Sequence, residues 1–445
     1  MGQLFRRRSA IAAWSLQIST AASTIVVVKY LGPPLGVSGL GVWLSMLAIT
    51  QLYLYFDFGW GYVGARAVSA RRGAALVSGV PAGPEMAAVL GWLKRVIFRS
   101  SLVAAVVMAV VFWVFLAKLD VQRDKEDVYR GAIILWMAGY VLLMQRPFCA
   151  VIEGNDQIWI TRGVSAVVNM VCCVVQIGIG LKWSSMALLA LPQLVLSVGA
   201  WVALGWVARR AVQDEALPAS SIAPAGIAPR ECLKIGAINL VGYIGATAQA
   251  PIIAIGVSPA LVAPFHFAWR VSSFLSLAIL QIPLTMLPRF TIQVGARKWS
   301  TARKMMVEQS TWVLILSILI LSCFLCLIGW LSEHFMGIGR LRWTDYCLMA
   351  TLGMLSNSSV VLGHFVLAAG RNPFFASAMS SVVLNVLLLY LLVPEFGVAG
   401  LMAAAMISLL CTSFWVQIMH GIRLLHELKC WDRERVEVAT PGKQA

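Results

Sequence analysis

Apolar positions run on in this chain for about twenty residues at a time, and polar positions fall in short clusters between them. A helix needs about 20 apolar residues to cross the roughly 30 Å hydrocarbon core of a bilayer. That template predicts twelve spans, over residues 10–31, 37–57, 96–117, 131–152, 163–181, 186–207, 233–257, 261–287, 309–331, 345–369, 374–393 and 398–420. Lipid gives the backbone no hydrogen-bond partner, so each span is expected to be helical and each turn to lie among headgroups or in water. The predicted fold class is all-α, a polytopic membrane protein of about twelve transmembrane helices.

Composition agrees, since 445 residues at 60% hydrophobic and 12% charged, with mean hydropathy +0.83, do not describe a water-soluble globule. The basic residues orient the chain. With both termini cytoplasmic, inner loops and helix ends hold 24 of the 35 Lys and Arg, including Arg6, Arg7, Arg8, Arg209, Arg210 and Arg371, and outer ones hold eight. Short basic loops stay inside, so the expected arrangement is N-in, C-in. Most of the +16 net charge is this bias and suits anionic headgroups; no basic stripe interleaved with aromatics invites a nucleic acid. The apolar run after "RRR" is too long for a signal peptide and lacks a clear cleavage site, so it reads as the first helix. The nine Cys, Cys172, Cys173, Cys323 and Cys326 among them, sit mostly in apolar spans without the His or acidic companions of a metal site, and read as packing residues.

The chain repeats itself. "SAVVNMV" from Ser165 returns as "SVVLNVL" from Ser381, and the offset of 216 also pairs Gly154 with Gly370 and Met186 with Met402. An offset of 226 aligns the fronts, Ile18 with Ile244, Pro33 with Pro259 and Trp43 with Trp269. The expected domains are a six-helix half over 1–207, a polar Ala/Ser/Pro-rich cytoplasmic linker over 208–232, a second half over 233–420 and a cytoplasmic tail over 421–445. Six is even, so both halves run the same way, as parallel repeats of the kind that bind substrate between them and rock about it.

None of the nineteen Asp and Glu falls in the middle of a predicted span; Asp57 and Glu153 sit at inner ends and Glu395 at an outer one. Three Arg do lie within spans, Arg99, Arg146 and Arg270. An Arg near the bilayer centre costs about 2.5–3.5 kcal/mol on the insertion scale, so buried cations in excess point to an anionic ligand. Arg270 lies deepest. His266, Arg270, Ser273, Leu277 and Gln281 are spaced 4, 3, 4 and 4, which places them on one face of the eighth helix. The equivalent positions of the first half are Leu40, Leu44, Leu47, Gln51 and Tyr55, so the polar stripe belongs to one half. The competing role for Arg270 is a bond to the end carbonyls of a neighbouring helix. Arg146, in "MQRPF", and Arg99 lie nearer cytoplasmic ends, where snorkelling competes with ligand binding. Lys29 can snorkel or meet a ligand at the outer mouth. Gln17, Asn239, Gln249, Asn357 and His364 complete the candidate cavity residues, Asn357 and His364 sharing a face. Interhelix bonds are the competing role for each, and are expected of Asn169 and Asn385.

Two stretches carry a resemblance. "SVVLNVLLLYLLVPEFGVAGLMAAAMIS" from Ser381 resembles the last two helices of polysaccharide-biosynthesis membrane proteins, an Asn in a Leu/Val helix followed by Pro and a short "FGVAG" turn. "GPPLGVSGLGVWLSMLAITQLYLYFDFGWG" from Gly32 is similar to their second helix, ending in an Asp-Phe-Gly turn. With twelve helices and the "AAGRNP" turn, the chain resembles the Wzx-type flippases of the multidrug/oligosaccharidyl-lipid/polysaccharide (MOP) superfamily over nearly its whole length.

The resemblance implies a MATE-like fold and export of an oligosaccharide on undecaprenyl pyrophosphate to the outer leaflet of the bacterial cytoplasmic membrane, for O-antigen, capsule or exopolysaccharide. It also implies ion coupling, to H+ or Na+, and leaves pairing with a polysaccharide polymerase open, beside contact with membrane lipids. Arg binds diphosphate oxygens well, in keeping with Arg270 and Arg146. A coupling cation normally needs a buried carboxylate, and the sequence places none at depth. The alternatives are a MATE-type multidrug antiporter, which calls for acidic residues or an aromatic cage, and a polytopic polymerase, which calls for a long outer loop and a catalytic carboxylate or His. No cofactor is expected, and a transporter is expected rather than an enzyme.

Overall fold

The first helix is two rods. Helix α1, Gly2–Gln51, is interrupted at Gly36, whose φ of 69° and ψ of 161° suit only glycine. Pro33 and Pro34 just before it cannot donate to the helical ladder, so the chain bends there and the spans expected over 10–31 and 37–57 become two arms of one element. The computed structural model describes residues 2–65, 67–69, 83–119, 124–155, 157–212, 248–295, 298–369 and 373–439, with Cys232, Lys234, Gly236 and Arg371. The expected linker lies outside the described residues from 213 to 231, as do Asn239 and the side chains of Gln17 and Gln281.

The other helices are α2 (Gly83–Lys118), α3 (Lys125–Met144), α4 (Arg146–Gly154), α5 (Ile158–Trp183), α6 (Met186–Ala211), α7 (Gln249–Gly256), α8 (Pro259–Gly295), α9 (Trp299–Trp330), α10 (Trp343–Ala368), α11 (Phe375–Phe396), α12 (Val398–Cys411) and α13 (Ser413–Ala439). No strand occurs among the described residues. Ten segments among them are long and apolar enough to cross a membrane. The first holds both arms of α1, and the span expected over 233–257 is described only in part, so about twelve passes remain the count. Two expected spans are broken: 131–152 turns at Gln145, and 398–420 turns at Thr412, with φ −128° and ψ −79°. Apolar residues resume within three positions of each break, so a span-length window runs across both, although Gln145, Arg146 and Pro147 mark the first locally.

The helices gather into two compact units, residues 1–267 with 336–338, and residues 268–335 with 339–445. In the first, α2 packs on α3, α3 on α6 and α5 on α6. In the second, α9 packs on α10, α10 on α12 and α13, and α11 on α12. These are the same three pairings displaced by six spans, which is the repeat in three dimensions. Each unit has its own apolar core, around Leu90, Leu93 and Val151 in the first, and around Phe290 and Phe365, edge to face at 4.9 Å, in the second. Outward, Val106, Val174 and Tyr390 are 67%, 69% and 82% exposed, a surface suited to lipid.

The repeated Asn is used unequally. Asn169 donates to Thr20 Oγ1 at 3.2 Å, joining α5 to α1. Asn385 is buried, yet its Oδ1 meets no donor among the described residues, contrary to the expected interhelix bond. Ser408 of α12 instead donates to the Ser381 carbonyl of α11. Cys172 and Cys173 are buried as expected, whereas Cys323 and Cys326 face outward.

Candidate functional site

The best-defined charged site in the first unit grows from the turn that ends α1. Residues Leu52–Asp57 tighten into a 3-10 helix, closed by Phe58 in the left-handed region (φ 46°) and Gly59 (φ 77°). Asp57 Oδ1 accepts from the Gly59 N–H at 2.7 Å, which fixes the carboxylate over its own turn. Gly61 has to be small, because a Cβ there would sit 2.8 Å from Asp57 Oδ2. The same oxygen lies 3.7 Å from Arg146 Nε. Arg146 opens α4 just after the break at Gln145, where Pro147 fits the first turn without forfeiting a hydrogen bond. The break is held from the side, since Gln145 Nε2 donates to the Ser197 carbonyl of α6 at 2.8 Å.

Arg146 therefore has a carboxylate partner, which the reading of unpaired buried cations did not foresee. The signal was available in the Asp-Phe-Gly turn, whose short-range hydrogen bond orients Asp57 inward. Arg99 lies on an exposed face of α2, which starts at Gly83, well before the expected span. The remaining candidates of this unit are separate: Lys29 is half-buried and partnered, Gln249 is buried on α7, and His266 is half-buried and partnered near the start of α8.

In the second unit α8 and α10 run side by side in the same direction. A Cβ on Gly353 would lie 3.4 Å from Ser276 Oγ, and fourteen and twelve residues further on Phe290 meets Phe365. Arg270 and Ser273 stand one to two turns before Ser276, both half-buried, and Arg270 is partnered. Leu277, on the same face, is 39% exposed. Asn357 lies one turn beyond Gly353 but is buried against α9, donating to Ser317 Oγ at 3.2 Å. His364 Nδ1 donates to the Val360 carbonyl of its own helix at 2.8 Å. Asn357 and His364 thus have structural partners, and Arg270 with Ser273 is the part of the predicted set that keeps a polar face within a helix. Among the described residues no cluster of His, Cys, Asp and Glu could hold a metal ion.

By sequence, no family model matches the chain, and no curated protein does. By structure it is similar to lipid II flippase MurJ in an inward closed conformation, at TM-score 0.66 and 12% identity over 95% of this chain and 87% of that one. It is similar to an inward-facing multidrug resistance MATE family transporter of the MOP superfamily, at TM-score 0.64 and 11% identity over 95% and 99%. A MOP superfamily transporter from Pyrococcus furiosus matches at TM-score 0.60 and 12% identity over 96% and 97%. Likeness at such identities establishes architecture, and the architecture is the all-α fold shared by MATE transporters and MurJ.

Proposed function

We propose that this chain is a flippase of the MOP superfamily that moves an oligosaccharide linked to undecaprenyl pyrophosphate from the inner to the outer leaflet of a bacterial cytoplasmic membrane, in the assembly of O-antigen, capsule or exopolysaccharide. The observation that carries the reading is the sign of the charge inside the helices. Arg270 stands half-buried in the interior of α8 with Ser273 one turn on, and no predicted span has an Asp or Glu at its middle. A guanidinium in that setting matches the oxygens of a diphosphate and repels a cationic drug. The fold supports transport over enzymatic chemistry, since the similar structures are transporters and a flippase.

In this reading Arg270, with His266 and Ser273 on its face of α8, draws the sugar diphosphate out of the inner headgroup layer while the prenyl chain stays in lipid. Both termini are cytoplasmic, the halves over 1–207 and 233–420 exchange access, and H+ or Na+ supplies the driving force. Arg146, held by Asp57, serves the approach at its own end of the first unit rather than as a lone cation.

The test is flipping in proteoliposomes, read as protection of a labelled undecaprenyl-pyrophosphate sugar from an external enzyme. Wild type is expected to move the lipid, Arg270→Ala to fail while remaining folded, and Arg270→Lys to retain part of the rate. A wild-type protein that moves no lipid-linked sugar but extrudes a cationic dye overturns the reading in favour of a drug antiporter.

A further inference from the structure

The loop between α9 and α10 departs from regular geometry at a point where hydropathy alone predicts only a turn. Residues Leu331–Phe335 form a turn of π-helix at the end of α9, a rare conformation that tends to accompany function. On it Trp330 and His334 stack, centroids 5.8 Å apart and planes within 12°. The chain returns with Arg340, whose Nη1 is 3.5 Å from Glu333 Oε2, and with Arg342. Two bonds hold this return in place: the Leu341 N–H donates to the Tyr346 hydroxyl, and the Arg342 N–H to Asp345 Oδ2, each at 3.1 Å. The result is a cavity of about 510 Å³ walled by Trp330, Glu333, His334, Arg340, Arg342 and Trp343.

Its charge is lopsided. Glu333 engages Arg340, while Arg342 forms no ion pair among the described residues and has only the field of buried Asp345 near it. Trp330 and Trp343 are both more than half exposed at the ends of membrane-spanning helices, where indole rings mark the level of the headgroups. On the neighbouring side of α9 an apolar groove of about 280 Å³ runs between α8 and α9, lined by Leu275, Cys323, Leu327 and Leu331. The two share no lining residue, but Leu327 and Leu331 stand three positions before Trp330 and His334 on α9, so the groove ends beside the Trp330 and His334 wall of the cavity.

We propose that cavity and groove together hold one anionic, phosphate-bearing lipid, its phosphate at Arg340 and Arg342 and one hydrocarbon chain along Leu275, Cys323, Leu327 and Leu331. A water-soluble anion would use the guanidinium groups and leave the groove empty; an uncharged lipid would use the groove and leave Arg342 with only the buried Asp345 carboxylate as counter-charge. A lipid phosphate with its chain satisfies both, since guanidinium binds phosphate oxygens in a planar fork and the groove lies at hydrocarbon depth. The site lies wholly within the second unit and does not depend on the cargo proposed above.

The test is native mass spectrometry of the full chain in detergent, titrated in parallel with phosphatidylglycerol, undecaprenyl phosphate and zwitterionic phosphatidylcholine. Wild type is expected to retain one or both anionic lipids over phosphatidylcholine by roughly ten-fold or more, the order that two near-surface cations supply. Which anionic lipid leads tells a resident membrane lipid from a prenyl carrier, and either supports the site. The double variant Arg340→Gln, Arg342→Gln, altered only at exposed side chains, is expected to lose the preference. Leu327→Trp, which fills the groove, is expected to lower retention of the anionic lipids with the cations intact. Equal retention of all three lipids by wild type, or a preference untouched by the double variant, overturns the proposal in favour of annular lipid. Displacement by millimolar inorganic phosphate, with the Leu327→Trp protein unaffected, overturns it in favour of a free-anion site.

Discussion

Arg146 and Asp57, 89 positions apart in sequence, meet with Nε 3.7 Å from Oδ2, and the two side chains differ in their access to water, 38% against 8% exposed. The pair is asymmetric. Arg146 can turn towards solvent if Asp57 is lost, whereas Asp57 is fixed by the Gly59 N–H and has nowhere to go if Arg146 is lost. Arg146→Ala is therefore expected to destabilise more than Asp57→Asn, because it strands a buried carboxylate. Screening through the exposed Arg limits their coupling in a double-mutant cycle to about 1 kcal/mol or less. Denaturation of the four proteins in detergent measures it, and equal losses for the two single variants would remove the asymmetry.

Asn357 separates a packing role from a cargo role. Its amide donates to Ser317 on the neighbouring helix at 3.2 Å, and both side chains are buried. Interhelix hydrogen bonds of this type average about 0.6 kcal/mol in membrane proteins. Ser317→Ala is expected to cost about that much stability and to leave transport within a few-fold of wild type. A Ser317→Ala protein of unchanged stability that loses flipping would return Asn357 to the cargo path.

Hydropathy carried the spans because lipid sets a minimum apolar length for a crossing helix, and the doubled "SAVVNMV" agrees with three helix pairings that recur six spans on. Gly36 was legible as a boundary, lying between two apolar runs and after Pro33 and Pro34. The break at Thr412 was not, since apolar residues continue on both sides; at Gln145 the polar Gln-Arg-Pro triplet marks the place, but what holds the turn, Ser197, is 52 positions away. The candidate site divides the same way. The depth of Arg270 and its polar neighbours on α8 follow from helical period; the partners of Arg146 and Asn357 come from other elements, and although the Asp-Phe-Gly turn shows that Asp57 is oriented, no local pattern pairs it with Arg146.

Glycine positions offer a test of the packing itself. A Cβ on Gly41 would run into the backbone carbonyl of Pro259, within the first unit, and a carbonyl cannot swing aside as a side chain can. Gly41→Ala is expected to cost about 1–3 kcal/mol, the range for overpacking. Gly178 and Gly199 lie in helices with nothing within 4 Å of a built Cβ, so Ala there is expected to be neutral or to stabilise by up to about 1 kcal/mol. Melting temperatures of the three variants check the ordering; a Gly41→Ala protein as stable as Gly178→Ala would mean that α1 does not approach Pro259 so closely.

The turn after α10 is tied down by charge. Arg371 Nη2 lies 2.7 Å from Glu427 Oε2 on α13, and Arg423 Nε lies 3.2 Å from Glu427 Oε1. One carboxylate thus serves two guanidinium groups, one from the turn and one from its own helix, and only the first crosses between elements. Arg371 is 42% exposed and Arg423 is 72% exposed, so water and salt weaken both contacts. Exposed pairs contribute about 0.2–1 kcal/mol, and the exposure here argues for the lower part of that range. The consequence is a difference in salt response. The coupling between Arg371→Gln and Glu427→Gln is expected to be measurable at about 50 mM salt and to vanish near 1 M, where the Debye length falls to about 3 Å. Cleavage by a protease at the turn around Arg371 is expected to rise in Glu427→Gln at low salt and to match wild type at high salt. A coupling that persists unchanged across that range would show that the turn is held by direct packing on α13, with Glu427 a spectator.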